Sequence, residues 1–171
     1  LDSETLAGEL ATRGIDALIA PAIEIVAMPH EPPADVRYQA MLLTSGNAAA
    51  ALSSLSLDKT VPVYCVGDVT GQRLTALGFT NVRSAAGDVD DLGKLLCDGL
   101  DPDRGPLLHL TGALVAGDLA GALGAVGFAV ERRVVYRAEA VGGLDGAAVA
   151  ALRGNGLDGV LFYSPRSARI L

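Results

Sequence analysis

Aromatic residues are scarce in this chain, 4% of 171 residues, and tryptophan is absent. That argues against a stacking surface for single-stranded nucleic acid. A formal net charge of −7 argues in the same direction against nonspecific phosphate binding. Two cysteines are too few for a disulfide framework or a zinc pattern. Cys65 falls in an expected strand and Cys97 in an expected helix, and both are expected to be buried as small apolar residues. No apolar run approaches the ~20 residues of a membrane span, and no charged-then-apolar leader is visible. The expectation is a cytoplasmic protein with neither membrane nor nucleic-acid partners. No His, Cys and carboxylate cluster has metal-ligand spacing, and no GxSxG elbow, P-loop or GxGxxG fingerprint occurs.

What is present is an abundance of small and branched apolar residues. Half the chain is hydrophobic, enough for a sizeable core in one ordinary domain or in parts of two. Leu6 and Leu10 mark a first helix that Gly14 ends. Residues 15–20 (IDALIA) read as a buried strand, and 21–27 continue as an extended segment. Residues 28–35 hold three of the eight prolines and read as a loop. A regular alternation follows. Strands are expected at 39–44, 61–66, 80–84 and 106–111, with a long extended segment at 128–138. Helices are expected at 47–55, 69–77, 88–99 (capped by Asp88) and from about 113 to 126. Five strands with four intervening helices make a complete doubly wound parallel unit. The pattern then restarts, with a helix at 144–153 and a strand at 158–163.

The extended pieces at 21–27 and 131–139 are natural partners for a two-stranded connector. The fold expected is therefore α/β, with two doubly wound, flavodoxin-like parallel-sheet domains. The first is discontinuous (1–27 plus 139–171) and the second (28–133) is inserted into it. A duplicate of the inserted unit would need about 80 residues after Ser164 and a strand ahead of Leu1. The first domain is thus expected to be incomplete in this chain.

One device occurs twice. Residues 42–52 (LLTSGNAAAAL) and 161–171 (LFYSPRSARIL) each place a serine, Ser45 or Ser164, between an apolar run and a helix start. In a parallel sheet such turns lie at the carboxyl ends of strands, where ligands bind, and helix starts there offer free N–H groups to anions.

The segments TSGNAAAAL (44–52), VYCVGDVTGQRLTALGF (63–79), PLLHLTG (106–112), GFAVERRVVYRA (127–138) and DGVLFYSPRSA (158–168), in that order and spacing, resemble the uroporphyrinogen-III synthase family. The resemblance covers nearly the whole chain. It implies two α/β domains joined by a two-stranded ladder, with the active site in the cleft and closure of the domains as rigid bodies. It also implies a monomer that uses no metal or organic cofactor. The implied reaction closes the linear substrate hydroxymethylbilane into uroporphyrinogen III, inverting the last pyrrole ring through a spiro intermediate with loss of water.

Tyr136 matches the family tyrosine on the return segment, which implies a role in assisting loss of the hydroxyl; its alternative is ring packing. A phenol is a weak acid at neutral pH, so orientation matters more than proton transfer. The substrate's eight carboxylates suit N–H groups and hydroxyls at strand-to-helix turns. The implied contacts are Thr44, Ser45, Gly46, Asn47, Thr70, Gly112, Ser164, Arg166 and Ser167. Plain helix capping is the competing role for Thr44 and Ser45, and a solvated position for Arg166. His109, mid-strand, reads as a satisfied core histidine, and His30, between prolines, as a loop residue. The chain departs from the family at Thr111, where many members carry arginine, and at Tyr163, where a hydroxyl residue often precedes the serine. Thr111 and the incomplete first domain leave room for a rival: a non-catalytic two-domain module that binds a tetrapyrrole or a small anion. A receiver domain of the response-regulator kind would need an acidic cluster at the first strand end and a late lysine, and neither is present.

Overall fold

The computed structural model describes residues 3–28, 36–52, 58–115 and 117–170. The chain forms two compact units, residues 25–138 and residues 1–24 with 139–171.

The larger unit is built as the apolar pattern dictates. Its strands are β2 (Ala40–Leu43), β3 (Val63–Cys65), β4 (Val82–Ser84), β5 (Leu107–Gly112) and β6 (Val130–Ala140), after β1 (Ile23–Ala27). The helices between them are α2 (Gly46–Leu52), α3 (Asp68–Ala76), α4 (Val89–Gly99) and α5 (Leu119–Ala125), with α1 (Ser3–Ala11) earlier in the chain. β2 to β6 pair in parallel, and the sheet order is β1-β6-β5-β2-β3-β4.

Every residue of β2, β3 and β5 is buried, as expected of parallel strands covered on both faces. Alternate side chains feed two cores. Met41, Leu43, Leu108 and Leu110 pack with Ala48, Leu52 and Leu74 of α2 and α3. Ala40, Leu42, Tyr64 and Leu107 pack with Leu92, Leu96, Leu119 and Leu123 of α4 and α5. The sheet is therefore sandwiched between two helical layers, the arrangement of a doubly wound unit.

Counted along the parallel strands, the order is 3-2-1-4-5. Flavodoxin has 2-1-3-4-5, so the flavodoxin-like expectation is corrected for this unit. The first strand sits centrally, the next two add on one side, and the last two add on the other. Strand patterning reports burial but not which neighbour each strand chooses, so the order was not readable from periodicity.

Local signals set the element ends. Asp88 accepts hydrogen bonds from the N–H groups of Asp90 and Asp91, and Asp91 accepts from the Asp88 N–H, a complete capping box. Gly78 closes the α3 end at φ +91°, a conformation that favours glycine. The helix expected at 47–55 is seen through Leu52; residues 53–57 lie outside the described residues, as does all but the first residue of the proline-rich loop expected at 28–35.

The smaller unit holds α1, α6 (Gly146–Arg153) and α7 (Pro165–Ile170). Here two expectations are corrected. Residues 15–20 and 158–163 are not strands, and their apolar side chains are exposed, Leu18 to 50% and Leu161 to 66%. A strand needs a hydrogen-bonding neighbour, and among the described residues neither segment has one. In the larger unit Cys97 is corrected too: it is exposed on α4, whereas Cys65 is buried. On α4 the buried face is carried by Leu92 and Leu96, four residues apart, which turns position 97 outward.

β1 lies beside β6 in the sheet. Met28 N–H donates to Val135 O, and Val141 N–H donates to Ala22 O, so the two segments run antiparallel.

Candidate active site

β2 and β5 are neighbours, yet their following helices cover opposite faces of the sheet. A crevice therefore opens at their carboxyl ends, the topological switch point at which open α/β sheets bind ligands. The residues that follow β2 are Thr44, Ser45, Gly46 and Asn47. The first three are half-buried and Asn47 is exposed, its N–H donating to Ser45 Oγ at 3.3 Å. Thr70 lies in the first turn of α3 at the next strand end. A Cβ placed on Gly46 would stand 3.4 Å from Thr70 Oγ1 and 3.1 Å from Arg73 Nη1. The glycine thus admits the α3 side chains to the turn.

At the end of β5 the chain makes an irregular step between Thr111 and Gly112, after which Gly112 pairs with Tyr136 on β6. Ala113 N–H donates to Tyr136 O at 3.0 Å. A Cβ at Gly112 would stand 2.7 Å from Tyr136 Cζ and 2.9 Å from its hydroxyl oxygen. No side chain fits there without moving the ring, so Gly112 is the seat of Tyr136. The ring is half-buried and packs on the α2–α3 core. Arg132 Nη2 donates to the carbonyls of Gly112 (3.3 Å) and Ala113 (3.4 Å), holding the strand end from the other side.

His109, two residues along the strand from Thr111, is 4% exposed. Its Nε2 lies 3.5 Å from Thr44 Oγ1, a long contact. Among the described residues its Nδ1 is buried and has no partner. The expectation of a satisfied core histidine is thus corrected: the ring is in the core, but one nitrogen is orphaned. Burial, and then the positive charge of Arg132, lower its pKa to about 4. The folded state holds His109 neutral, whereas the unfolded chain protonates it near 6.5. Between these values the unfolded state binds more protons, so stability falls as pH drops through that window. Lowering pH from 7 to 5 is expected to cost about 2 kcal/mol, read by urea unfolding, and His109→Leu is expected to abolish most of that loss. An equal loss in the variant would assign the acid sensitivity elsewhere.

Thr111 is buried as well, its Oγ1 directed to Gly112 O at 3.4 Å. A larger charged residue would not be accommodated in that position without opening the core. At the opposite, amino-terminal edge of the sheet, Tyr38 donates to Glu131, and Arg133 Nε donates to the same carboxylate at 2.6 Å. The Tyr38 and Arg133 bonds hold Glu131 below the usual carboxylate range. This cluster ties the start of β6 to the segment before β2 and lies away from the crevice.

The remaining sequence-derived residues belong to the smaller unit. Ser164 Oγ accepts from Ser167 N–H at 3.1 Å and lies 3.0 Å from Ser167 Oγ, which caps α7. Arg166 is exposed. An open cavity of about 410 Å³ in this unit is lined mainly by apolar groups, including Leu6, Leu10, Leu152 and Phe162. The fold therefore gathers Thr44, Ser45, Gly46, Asn47, Thr70, Gly112 and Tyr136 at one sheet edge, and carries Ser164, Arg166 and Ser167 in the other unit. His30 lies outside the described residues. Arg73 and Arg132 went unnoticed in the sequence. The three-residue step from Thr70 to Arg73, which places them on one helix face, was the available signal for the first.

A mostly parallel, doubly wound sheet with hydroxyls and close-approach glycines at the carboxyl ends of its strands is the arrangement in which open α/β proteins bind their ligands. Residues 4–171 match the family described as uroporphyrinogen-III synthase HemD, and the chain belongs to that family. Its members are lyases of tetrapyrrole biosynthesis that cyclise hydroxymethylbilane. The fold is similar to the crystal structure of uroporphyrinogen-III synthetase from Helicobacter pylori 26695, with a TM-score of 0.61 and 19% identity, over 87% of this chain and 68% of that one. No curated protein sequence matches the chain. Among the described residues no helix is long and apolar enough to cross a membrane.

Proposed function

We propose that this chain closes hydroxymethylbilane into uroporphyrinogen III, with inversion of the last pyrrole ring, and that Tyr136 assists the step in which the hydroxyl departs. The observation that supports this role is the Gly112–Tyr136 contact at the carboxyl end of β5, which holds a phenol in one orientation. The departing hydroxyl takes a proton and leaves as water, generating an azafulvene-like cation. A phenol held in one orientation hydrogen-bonds that oxygen, directly or through a water. Attack on the cation by the substituted carbon of the last ring gives the spiro intermediate. Its fragmentation and reclosure, with loss of a proton, give the inverted ring. A shaped site restricts closure to that one outcome.

The substrate's carboxylates are held by Thr44, Ser45, Gly46, Asn47, Thr70 and Gly112 of one domain and by Ser164, Arg166 and Ser167 of the other. The domains in this reading are a partial first domain, residues 1–27 with 139–171, and the inserted, doubly wound residues 28–133, joined by connector strands at 21–27 and 131–139. Two crossings of the chain between compact units, at 24–25 and 138–139, support that division. The enzyme works as a cytoplasmic monomer.

The test is the isomer ratio of uroporphyrinogen formed from freshly generated hydroxymethylbilane. Mostly type III is the expected result. Only type I, at the spontaneous rate, would sink the enzyme reading in favour of a binding module.

A further inference from the structure

His109 is a polar side chain set among apolar ones, and the synthase reading gives it no work. Sheet geometry explains where it sits. Leu42 and His109 are register partners on β2 and β5. Side chains alternate along a strand, so His109 shares a face with Leu107, and Thr44 shares one with Leu42. Leu42 and Leu107 both pack in the α4–α5 core. Thr44 is therefore the diagonal neighbour of His109 on that face, nearer the carboxyl edge. His109 Nε2 lies 3.5 Å from Thr44 Oγ1, and among the described residues Nδ1 is buried without a partner. Burial, and then the charge of Arg132, its register partner on β6, hold the imidazole pKa down at about 4, so the ring is neutral at neutral pH.

A neutral imidazole carries one proton, and the place of that proton decides the polarity of the Thr44 contact. Either tautomer leaves Nδ1 unpartnered. With the proton on Nδ1, a buried N–H goes without an acceptor, and its positive end lies in the field of Arg132. With the proton on Nε2, the orphan is a lone pair, which a nearby positive charge stabilises. Nε2–H then donates to Thr44 Oγ1, and the Thr44 hydroxyl has its own proton left to donate. Thr44 is half-buried, so a ligand at the strand ends reaches it.

Resting on the synthase reading above, we propose that His109 is a positioning residue, whose Nε2–H donates to Thr44 Oγ1 and so aims the Thr44 hydroxyl proton at a carboxylate of the bilane. The Thr44 contact belongs to the synthase reading; the buried histidine behind it does not. A carboxylate that accepts from Thr44 polarises the hydroxyl and strengthens the bond behind it, so the 3.5 Å contact is expected to shorten as the ligand binds.

Two measurements test this on the full chain. The chain holds two histidines, and with both isotope-labelled, long-range proton–nitrogen correlation reads the tautomer, the His30→Gln variant leaving only the signals of His109. The proton is expected on Nε2; a proton on Nδ1 overturns the proposal. In steady-state kinetics with hydroxymethylbilane, His109→Leu is expected to raise KM about fivefold, the worth of a neutral hydrogen bond, and to change kcat less. His109→Gln, which returns an N–H near the place of Nε2, is expected to recover most of that loss. With Thr44→Val already present, His109→Leu is expected to change KM by less than twofold, a difference that a merely structural histidine would not show. An unchanged KM in His109→Leu with type III still formed, or an equal loss with and without the Thr44 hydroxyl, overturns the proposal and leaves the synthase reading standing. Type I alone from the parent chain overturns both.

Discussion

Gly112→Ala and Tyr136→Phe are each expected to lower kcat for type III formation by roughly 100-fold, the lower end of what a positioned acid contributes. The two act on one object. Phenylalanine removes the hydroxyl, and alanine at 112 places a carbon 2.7 Å from Tyr136 Cζ, which forces the ring off its seat. The atoms displaced belong to the outer part of a half-buried side chain, so the alanine variant is expected to lose activity out of proportion to stability. Because both changes disable the same group, the double variant is expected to be little worse than either single one. Rates from purified variants, with the isomers separated, check this. Multiplicative losses, or single variants within threefold of the parent, would remove Tyr136 from the reaction and leave Gly112 as a packing residue only.

Leu42→Ala is expected to destabilise the larger unit by about 2–5 kcal/mol, the cost of emptying a fully buried leucine site. Leu42 has no exposed surface and packs in the α4–α5 core of the central strand. Leu161→Ala, at a position 66% exposed, is expected to change stability by no more than about 0.5 kcal/mol. Urea unfolding of the two variants sets them apart. Both leucines occupy apolar runs that read alike in the sequence, LLT and LFY, each ahead of a serine. A large loss from Leu161→Ala would show that residues 158–163 form a buried strand after all.

The contrast between these leucines shows where sequence reasoning stopped. The elements of the larger unit were legible because their signals are local. Apolar runs bounded by glycines and prolines set β2, β3 and β5, and Asp88 announced the start of α4 through its own side chain. The same local reasoning failed at 15–20 and 158–163, since an apolar run becomes a strand only when another strand offers its backbone. Cys97 failed for a related reason. Whether position 97 turns inward depends on the phase of a helix against its sheet, a matter of a single residue's rotation.

Much of the candidate site was legible too. Thr44, Ser45 and Thr70 follow strands and Gly112 ends one, and a parallel sheet carries the ends of its strands to one edge. The orphaned Nδ1 of His109 and the guanidinium of Arg73 over Gly46 were not legible, because each depends on how different elements pack against one another.

By itself, then, the sequence determined the alternation of buried strands and helices in the larger unit, the strand-end position of the turn at Thr44–Asn47, and the family, since these depend on neighbours within a few positions or on motif order. Only the tertiary structure decided the 3-2-1-4-5 order, the seating of Tyr136 on Gly112 and the exposure of the apolar runs in the smaller unit. These are set by pairings between segments distant in the chain, and the free energy of such pairings depends on contacts that no single segment encodes.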